Sequence, residues 1–215
     1  MRSKTATSPI SSSKKDAAKV AAFDFDGTLT WTDSFNAFLT YACGPAKLGV
    51  TALSQPGVFI DYLKTRDRGA LKSRFLFNLL GDIPETELEI LIRAFVATTG
   101  KRLFRSDALA RWDSLADSDV LRVIVTASPE RVVAPFGALI GADRVIGSRL
   151  KFDDRGRLMP QLDGLNCRGE EKMRRLHAIY GDDMLLDQAY GDTSGDSEMI
   201  ASAREGHYRL FRQRP

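Results

Sequence analysis

Scarcity narrows the possibilities for this chain before any motif does. Only two cysteines occur, Cys43 and Cys167, far apart and without metal-ligand spacing. That argues against a disulfide framework and a zinc site, and fits a reducing compartment. No run approaches the roughly 18 apolar residues of a spanning helix, so a soluble protein is expected. Residues 1–18, rich in Ser, Thr, Lys and Ala, hold no apolar stretch like a signal-peptide core. They read as a disordered leader, and the expected location is cytoplasmic.

Excess charge is missing too. A formal net charge of +3 with 27% charged residues does not mark a nucleic-acid binder, and no nucleic-acid partner is expected. Basic residues gather at the two ends, Arg2, Lys4, Lys14, Lys15 and Lys19 at the start, Arg204, Arg209, Arg212 and Arg214 near the finish. They read as solvated tails, with a polyanion or a lipid phosphate at a membrane surface as the alternative contact. No internal repeat is present. What the chain does have is 215 residues at 43% hydrophobic content, enough for one full core and a smaller appended unit.

The short uncharged run Val20–Phe23 reads as a buried strand. Helical periodicity then lasts about ninety residues, with Phe35, Phe38, Leu39 and Ala42 on one stripe, Leu88, Leu91, Ile92, Phe95 and Val96 on another, and Leu71–Leu80 between them. Breaks fall at Gly44-Pro45, Gln55-Pro56-Gly57 and Gly81-Asp82. From Leu121 onward strands and helices alternate: a strand over Leu121–Thr126, a helix over Glu130–Ile140, a strand at Arg144–Ile146 and a hairpin over 148–163. A helix over Glu170–Tyr180 follows, with Met173, Leu176, Ile179 and Tyr180 as its apolar face. A strand over Asp187–Tyr190, a helix over Ser197–Arg204 and a last strand over His207–Phe211 complete the pattern. It predicts an α/β fold, a doubly wound parallel sheet with a helical cap inserted after the first strand. The expected organisation is a leader (1–18), a core (19–32 and 119–215) and a cap (33–118) placed to close over the site.

Two acidic clusters follow apolar strands. The first is Asp24-Phe25-Asp26-Gly27-Thr28-Leu29-Thr30, the second Gly191-Asp192-Thr193-Ser194-Gly195-Asp196. In open α/β sheets ligands bind at the carboxyl ends of strands, where both loops can face one crevice. Crowded carboxylates need a cation or a shared proton. Oxygen ligands suit a hard cation, and Mg²⁺ is the expected cofactor.

DFDGTLT, the strand-ending VTAS at 125–128, the lysine of RGEEK at 168–172 and GDTSGD, in that order, resemble the haloacid dehalogenase superfamily. The similarity is to its phosphoserine-phosphatase-like branch with a helical cap after the first motif. It implies a Rossmann-like core and a Mg²⁺-dependent phosphomonoester phosphatase that works through an aspartyl phosphate. By this resemblance Asp24 is the nucleophile and Asp26 the acid/base. Thr126 and Ser128 bind phosphate together with Lys172, for which Arg168 is the rival. Asp24, the main-chain carbonyl of Asp26, Asp192 and Asp196 hold the metal. The second Asp separates the chain from the dehalogenases proper and the P-type pumps, which lack it. Asp33 and Arg74 stand where that branch meets the substrate amine and carboxylate, so a small phosphorylated metabolite such as phosphoserine is the implied substrate. A lipid head-group phosphate, a phosphotransferase and a non-catalytic phosphate-binding protein are the alternatives.

Overall fold

In a computed structural model, residues 17–54 and 68–215 are described. Most of the expected leader and the break at Gln55-Pro56-Gly57 lie outside them. The elements, in chain order, are β1 (Lys19–Phe23), α1 (Ser34–Ser54), α2 (Arg68–Leu80), α3 (Glu85–Thr99), α4 (Ser106–Asp113), β2 (Leu121–Pro129), α5 (Glu130–Leu139) and β3 (Arg144–Ser148). They continue as β4 (Leu150–Phe152), β5 (Leu158–Leu162), α6 (Glu170–Tyr180), β6 (Leu185–Gly191), α7 (Ser197–Ser202) and β7 (Glu205–Tyr208).

Five parallel strands form one sheet in the order β3-β2-β1-β6-β7. The first strand therefore sits in the middle, and the order reverses on either side of it. Alternation along β1 feeds two cores: Ala21 and Phe23 join the cluster under α1–α5, Val20 and Ala22 the one under α6 and α7. A strand with both faces covered must be apolar at every position, which is why Val20–Phe23 carries no charge. The fold is thus the doubly wound α/β sheet that the sequence predicts.

Among the described residues, four α-helices stand between β1 and β2. Gly44 takes φ 76 and ψ 156 inside α1, so the Gly-Pro break becomes a kink. Phe35, Phe38, Leu76, Leu88, Phe95 and Phe136 belong to one continuous hydrophobic cluster, so the inserted helices pack against α5 of the core. The last of them, α4, lies on the sheet: the Trp112 ring meets Phe23 edge-on at 5.0 Å, and its indole N–H donates to Ile140 O at 2.8 Å. The β4–β5 hairpin turns where expected and pairs antiparallel. It also clasps the α2–α3 turn, with Glu85 N donating to Gly156 O and Leu158 N to Ile83 O.

Several boundaries and one face differ from expectation; β6 is Leu185–Gly191 where Asp187–Tyr190 is expected, and α7 ends at Ser202 where Arg204 is expected. β2 continues to Pro129, which pairs with Ser148 after a register shift beyond Val125; the irregularity turns Thr126–Ser128 out of the plain ladder. The last strand is Glu205–Tyr208 and not His207–Phe211, because Gly206 and His207 pair with Ala189 and Tyr190, while Phe211 packs flat near Tyr190 and Phe23. The buried face of α6 is Glu171, Lys172, Arg175 and Leu176, and Ile179 is exposed. Periodicity scored only apolar residues, whereas this face is held by charge. Arg175 donates to Glu171 Oε1 at 2.7 Å, to Leu165 O at 2.6 Å and to Gly147 O.

Replacing Arg175 with Met keeps volume but leaves the buried Gly147 carbonyl and the part-buried Leu165 carbonyl without that donor. We expect a loss of about 3 kcal/mol in unfolding free energy, measured as a lowered urea midpoint with an unchanged slope.

Candidate active site

Parallel strands deliver the two acidic loops to one edge. Asp24 N donates to Tyr190 O at 2.8 Å, which ties the first residue after β1 to the end of β6. The chain then turns back at once, with Thr30 N on Phe25 O at 2.9 Å. Gly27 has φ 85, and a Cβ there would collide with the Asp192 carboxylate. Glycine at this position is what lets the two loops touch. Thr28 Oγ1 spans the same contact, donating to Asp192 Oδ1 at 3.3 Å.

Carboxylate oxygens of Asp24, Asp192 and Asp196 lie within 4.8 Å of one another. Lys172, fully buried, stands beside them: Nζ donates to Asp24 Oδ1 at 2.7 Å, Asp196 Oδ1 at 2.6 Å and Val125 O at 2.7 Å. With all three carboxylates ionised, one ammonium leaves two negative charges unbalanced, and an all-oxygen donor set of that charge suits a hard divalent cation. Asp196 is committed to the protein, since its Oδ2 accepts from Thr193 N and Thr193 Oγ1 at 2.9 Å and from Asp192 N at 3.2 Å. It thereby fixes both Lys172 and the second loop.

Charge and burial tune these groups differently. Burial pushes the Asp24 carboxyl up to about 7 against the lowering pull of Lys172, with Asp196 and Asp26 adding to the rise. Burial also raises Asp192, with Asp196 as the next cause. Burial would raise Asp196 as well, but Lys172 and the Thr193 bonds hold it below the usual carboxylate range. Lys172 is driven above the usual ammonium range because Asp24 and Asp196 outweigh its desolvation.

Asp26 faces a separate environment. Its Oδ1 accepts from Ser34 N at 2.6 Å and its Oδ2 from the Ser128 hydroxyl. Burial and then the Asp33 charge raise it, opposed by Lys72, Ser128 and Ser34. Thr126 Oγ1 accepts from Ser128 N at 3.0 Å, which leaves its own proton available to the crevice.

A cavity of about 160 Å³ joins Asp24, Asp26, Asp33, Thr126, Ser128, Arg168, Lys172 and Asp196 among the described residues. Asp192 stands just behind it, reached through the cluster. Arg168 sits at the rim, donating to Ser194 Oγ at 2.8 Å, while Lys172 reaches the carboxylates directly. Asp33 does two things: Oδ1 caps α1 by accepting from Asn36 N at 2.8 Å, and Oδ2 pairs with Lys72 at 3.3 Å. Arg74 is exposed and is not among the lining residues. The cation that α2 sends into the cavity is Lys72, which also donates to Ser128 Oγ at 3.2 Å.

Lys72, Thr28 and Asn166 are the residues that sequence reasoning passed over. For Lys72 a signal existed, because it shares a helical stripe with the buried Leu76 and Leu79, and Arg74 does not. Asn166 lies in an irregular loop, where it accepts from Ser148 Oγ at 2.9 Å, and no spacing marks it.

The raised carboxyls have a consequence for stability. Folded Asp24 holds its proton up to about pH 7, whereas in the unfolded chain it releases it in the ordinary carboxylate range. Its contribution therefore declines as pH rises between those limits, and Asp26 and Asp192 act in the same sense. In chelator, the thermal midpoint should fall from about pH 5 to about pH 8, and Asp24→Asn should flatten that fall. Differential scanning fluorimetry of both proteins across that range checks it.

The haloacid dehalogenase-like hydrolase family model matches residues 21–201. Protein CicA of Caulobacter vibrioides (strain NA1000 / CB15N) is 44% identical over 212 residues, covering 98% of this chain and 95% of that protein. Among solved structures, a protein of unknown function from Bordetella pertussis Tohama I superposes with a TM-score of 0.71 at 20% identity, over 86% of each chain. A phospho-aspartyl intermediate analogue of phosphoserine phosphatase superposes with a TM-score of 0.54 at 20% identity, over 87% of this chain and 84% of that one. These two structural likenesses concern the fold alone. The matched span runs from inside β1 to α7 and takes in both acidic loops and Lys172, so the chain belongs to the haloacid dehalogenase-like hydrolases.

Proposed function

We propose that this hydrolase is a Mg²⁺-dependent phosphomonoester phosphatase that works through a phosphorylated Asp24. The observation that carries the reading is the split environment of the two aspartates in the first loop. Asp24 is paired with a buried ammonium beside the acidic cluster, and Asp26 is held away from that ammonium by Ser34 N and Ser128.

Asp24, Asp192 and the main-chain carbonyl of Asp26 would hold the cation, with Asp196 keeping the second loop and Lys172 in register. A bound Mg²⁺ would supply positive charge to the phosphoryl oxygens. Lys172 neutralises Asp24 Oδ1 and orients the carboxylate toward the crevice, and Thr126 offers its hydroxyl proton to the transferring group. The carboxylate of Asp24 attacks phosphorus as the bond to the substrate oxygen breaks, and Asp26 gives that oxygen its proton. Asp26 then takes a proton from the water that attacks the aspartyl phosphate, releasing inorganic phosphate and restoring Asp24. A carboxyl raised by burial is suited to holding the first of those protons.

The cavity's size and its Asp33–Lys72 wall favour a small substrate that carries both an ammonium and a carboxylate, as phosphoserine does. Asp33 would meet the ammonium and Lys72 the carboxylate, each exchanging its present partner for the substrate. This places Lys72 in the role for which the sequence nominated Arg74.

Assay of a panel of phosphorylated amino acids, sugars and lipid head groups with Mg²⁺ tests the reading. Asp24→Asn should abolish phosphate release while leaving the circular dichroism spectrum unchanged, and undiminished hydrolysis would refute the mechanism. Lys72→Met should raise KM for phosphoserine about tenfold or more, with p-nitrophenyl phosphate turnover little affected. An equal change for both substrates would remove Lys72 from substrate recognition.

A further inference from the structure

The segment after β7 returns to the back of the acidic loops. Arg209 is the one non-glycine residue with a left-handed backbone among the described residues, at φ 53. An L-residue adopts that conformation at a conformational cost, so something nearby holds it there. The holding contacts are specific. Arg209 N donates to Gly191 O at 2.8 Å, and Arg209 Nε donates to Asp192 O at 2.9 Å. One residue thus takes two successive carbonyls of the loop whose Asp192 faces the cluster.

The other acidic loop is gripped in a related way. Arg105 N donates to Leu29 O at 2.8 Å and Arg105 Nε to Gly27 O at 3.2 Å. The two grips are joined through the same segment. Arg212 N and Gln213 N donate to Asp107 Oδ2 at 2.8 and 3.1 Å, and Ser106 Oγ meets Gln213 Oε1 at 3.0 Å. Phe211 anchors the strap by burying its ring near Tyr190.

We infer that Arg209 is a positioning residue, and that its double contact with Gly191 and Asp192 sets the geometry of the Asp192 carboxylate toward the cation. This rests on the metal reading above. Asp192 is held at two points: Thr28 holds its carboxylate, and Arg209 holds the carbonyl that fixes the backbone from which the side chain projects. A residue that orients a ligand acts on metal affinity, commonly by ten- to a hundredfold, and not on the reacting atoms.

Arg209→Gly separates this role from a purely structural one, because glycine relieves the left-handed backbone while removing the guanidinium. Mn²⁺ binding, read from loss of the free-ion electron paramagnetic resonance signal, should weaken about tenfold in Arg209→Gly. The thermal midpoint in chelator should equal or exceed that of the wild type. Arg212→Gly, which removes a neighbouring positive charge but keeps the backbone N–H to Asp107, should bind Mn²⁺ as the wild type does. Three results would overturn the inference: unchanged Mn²⁺ affinity in Arg209→Gly, a lowered midpoint in chelator that accompanies its loss of affinity, or equal weakening in Arg212→Gly. A wild-type chain that binds no Mn²⁺ would overturn the metal reading and this inference with it.

Discussion

A single buried ammonium organises this protein. Lys172 Nζ is shared by Asp24, Asp196 and the carbonyl of Val125, and those partners come from the loop after β1, the loop after β6, and β2. Burying a charge costs several kcal/mol unless it is paired and hydrogen-bonded on every side. The contact is therefore met only when the ends of β1 and β6 lie level with Val125, where the regular ladder of β2 breaks, and α6 begins directly behind them. A parallel sheet with β1 at its centre supplies that level. A lysine that lost either carboxylate would keep only part of its compensation at a buried position.

The same constraint explains why α6 has a charged buried face. Its first two turns must carry Lys172 to the carboxylates, and Glu171 and Arg175 then tie the helix to Gly147 and Leu165 at the ends of the neighbouring loops. On the opposite side of the sheet the contacts are mainly apolar, and there the inserted helices merge with the core into one aromatic-rich cluster. Phe95 and Phe104 both pack on the Phe136 ring of α5. The insertion is consequently anchored rather than tethered. The β4–β5 hairpin adds a second anchor at the α2–α3 turn, and Lys72 reaches the cavity from a helix fixed at both places.

Much of this was legible in the sequence wherever a physical rule acts over short range. An uncharged run of four residues ending in Asp marks a central strand, and two such ends with glycines mark loops that meet. Helix boundaries in α6 and the hairpin turn at 153–156 follow from local chemistry as well. What local pattern does not carry is long-range. The sequence pattern displaces the final strand because His207 and Phe211 look alike as aromatic strand residues, and only the register against Ala189 and Tyr190 tells them apart. The family resemblance points to Arg74 by sequence position, whereas the helical stripe of the buried Leu76 and Leu79 carries Lys72. Arg105 and Arg209 carry no local signature, because each acts through a carbonyl of a distant loop.

The two aspartates of the first loop lie one residue apart yet answer to different parts of the molecule. In a strand end, successive side chains at i and i+2 would share one face; here the turn at Gly27 begins between Asp26 and the rest of the loop, so their surroundings diverge. Asp24 belongs to the sheet edge, where Lys172 and the second loop set its charge. Asp26 belongs to the junction of α1, β2 and α2, through Ser34, Ser128 and, one bond further, Lys72. In the proposed reaction this divides phosphoryl acceptance from proton transfer. It also makes the proton-transfer half the one that the inserted helices touch. A substrate that displaces Lys72 from Ser128 would change the surroundings of Asp26 directly, so recognition by the cap and readiness of the acid/base are linked through one hydroxyl.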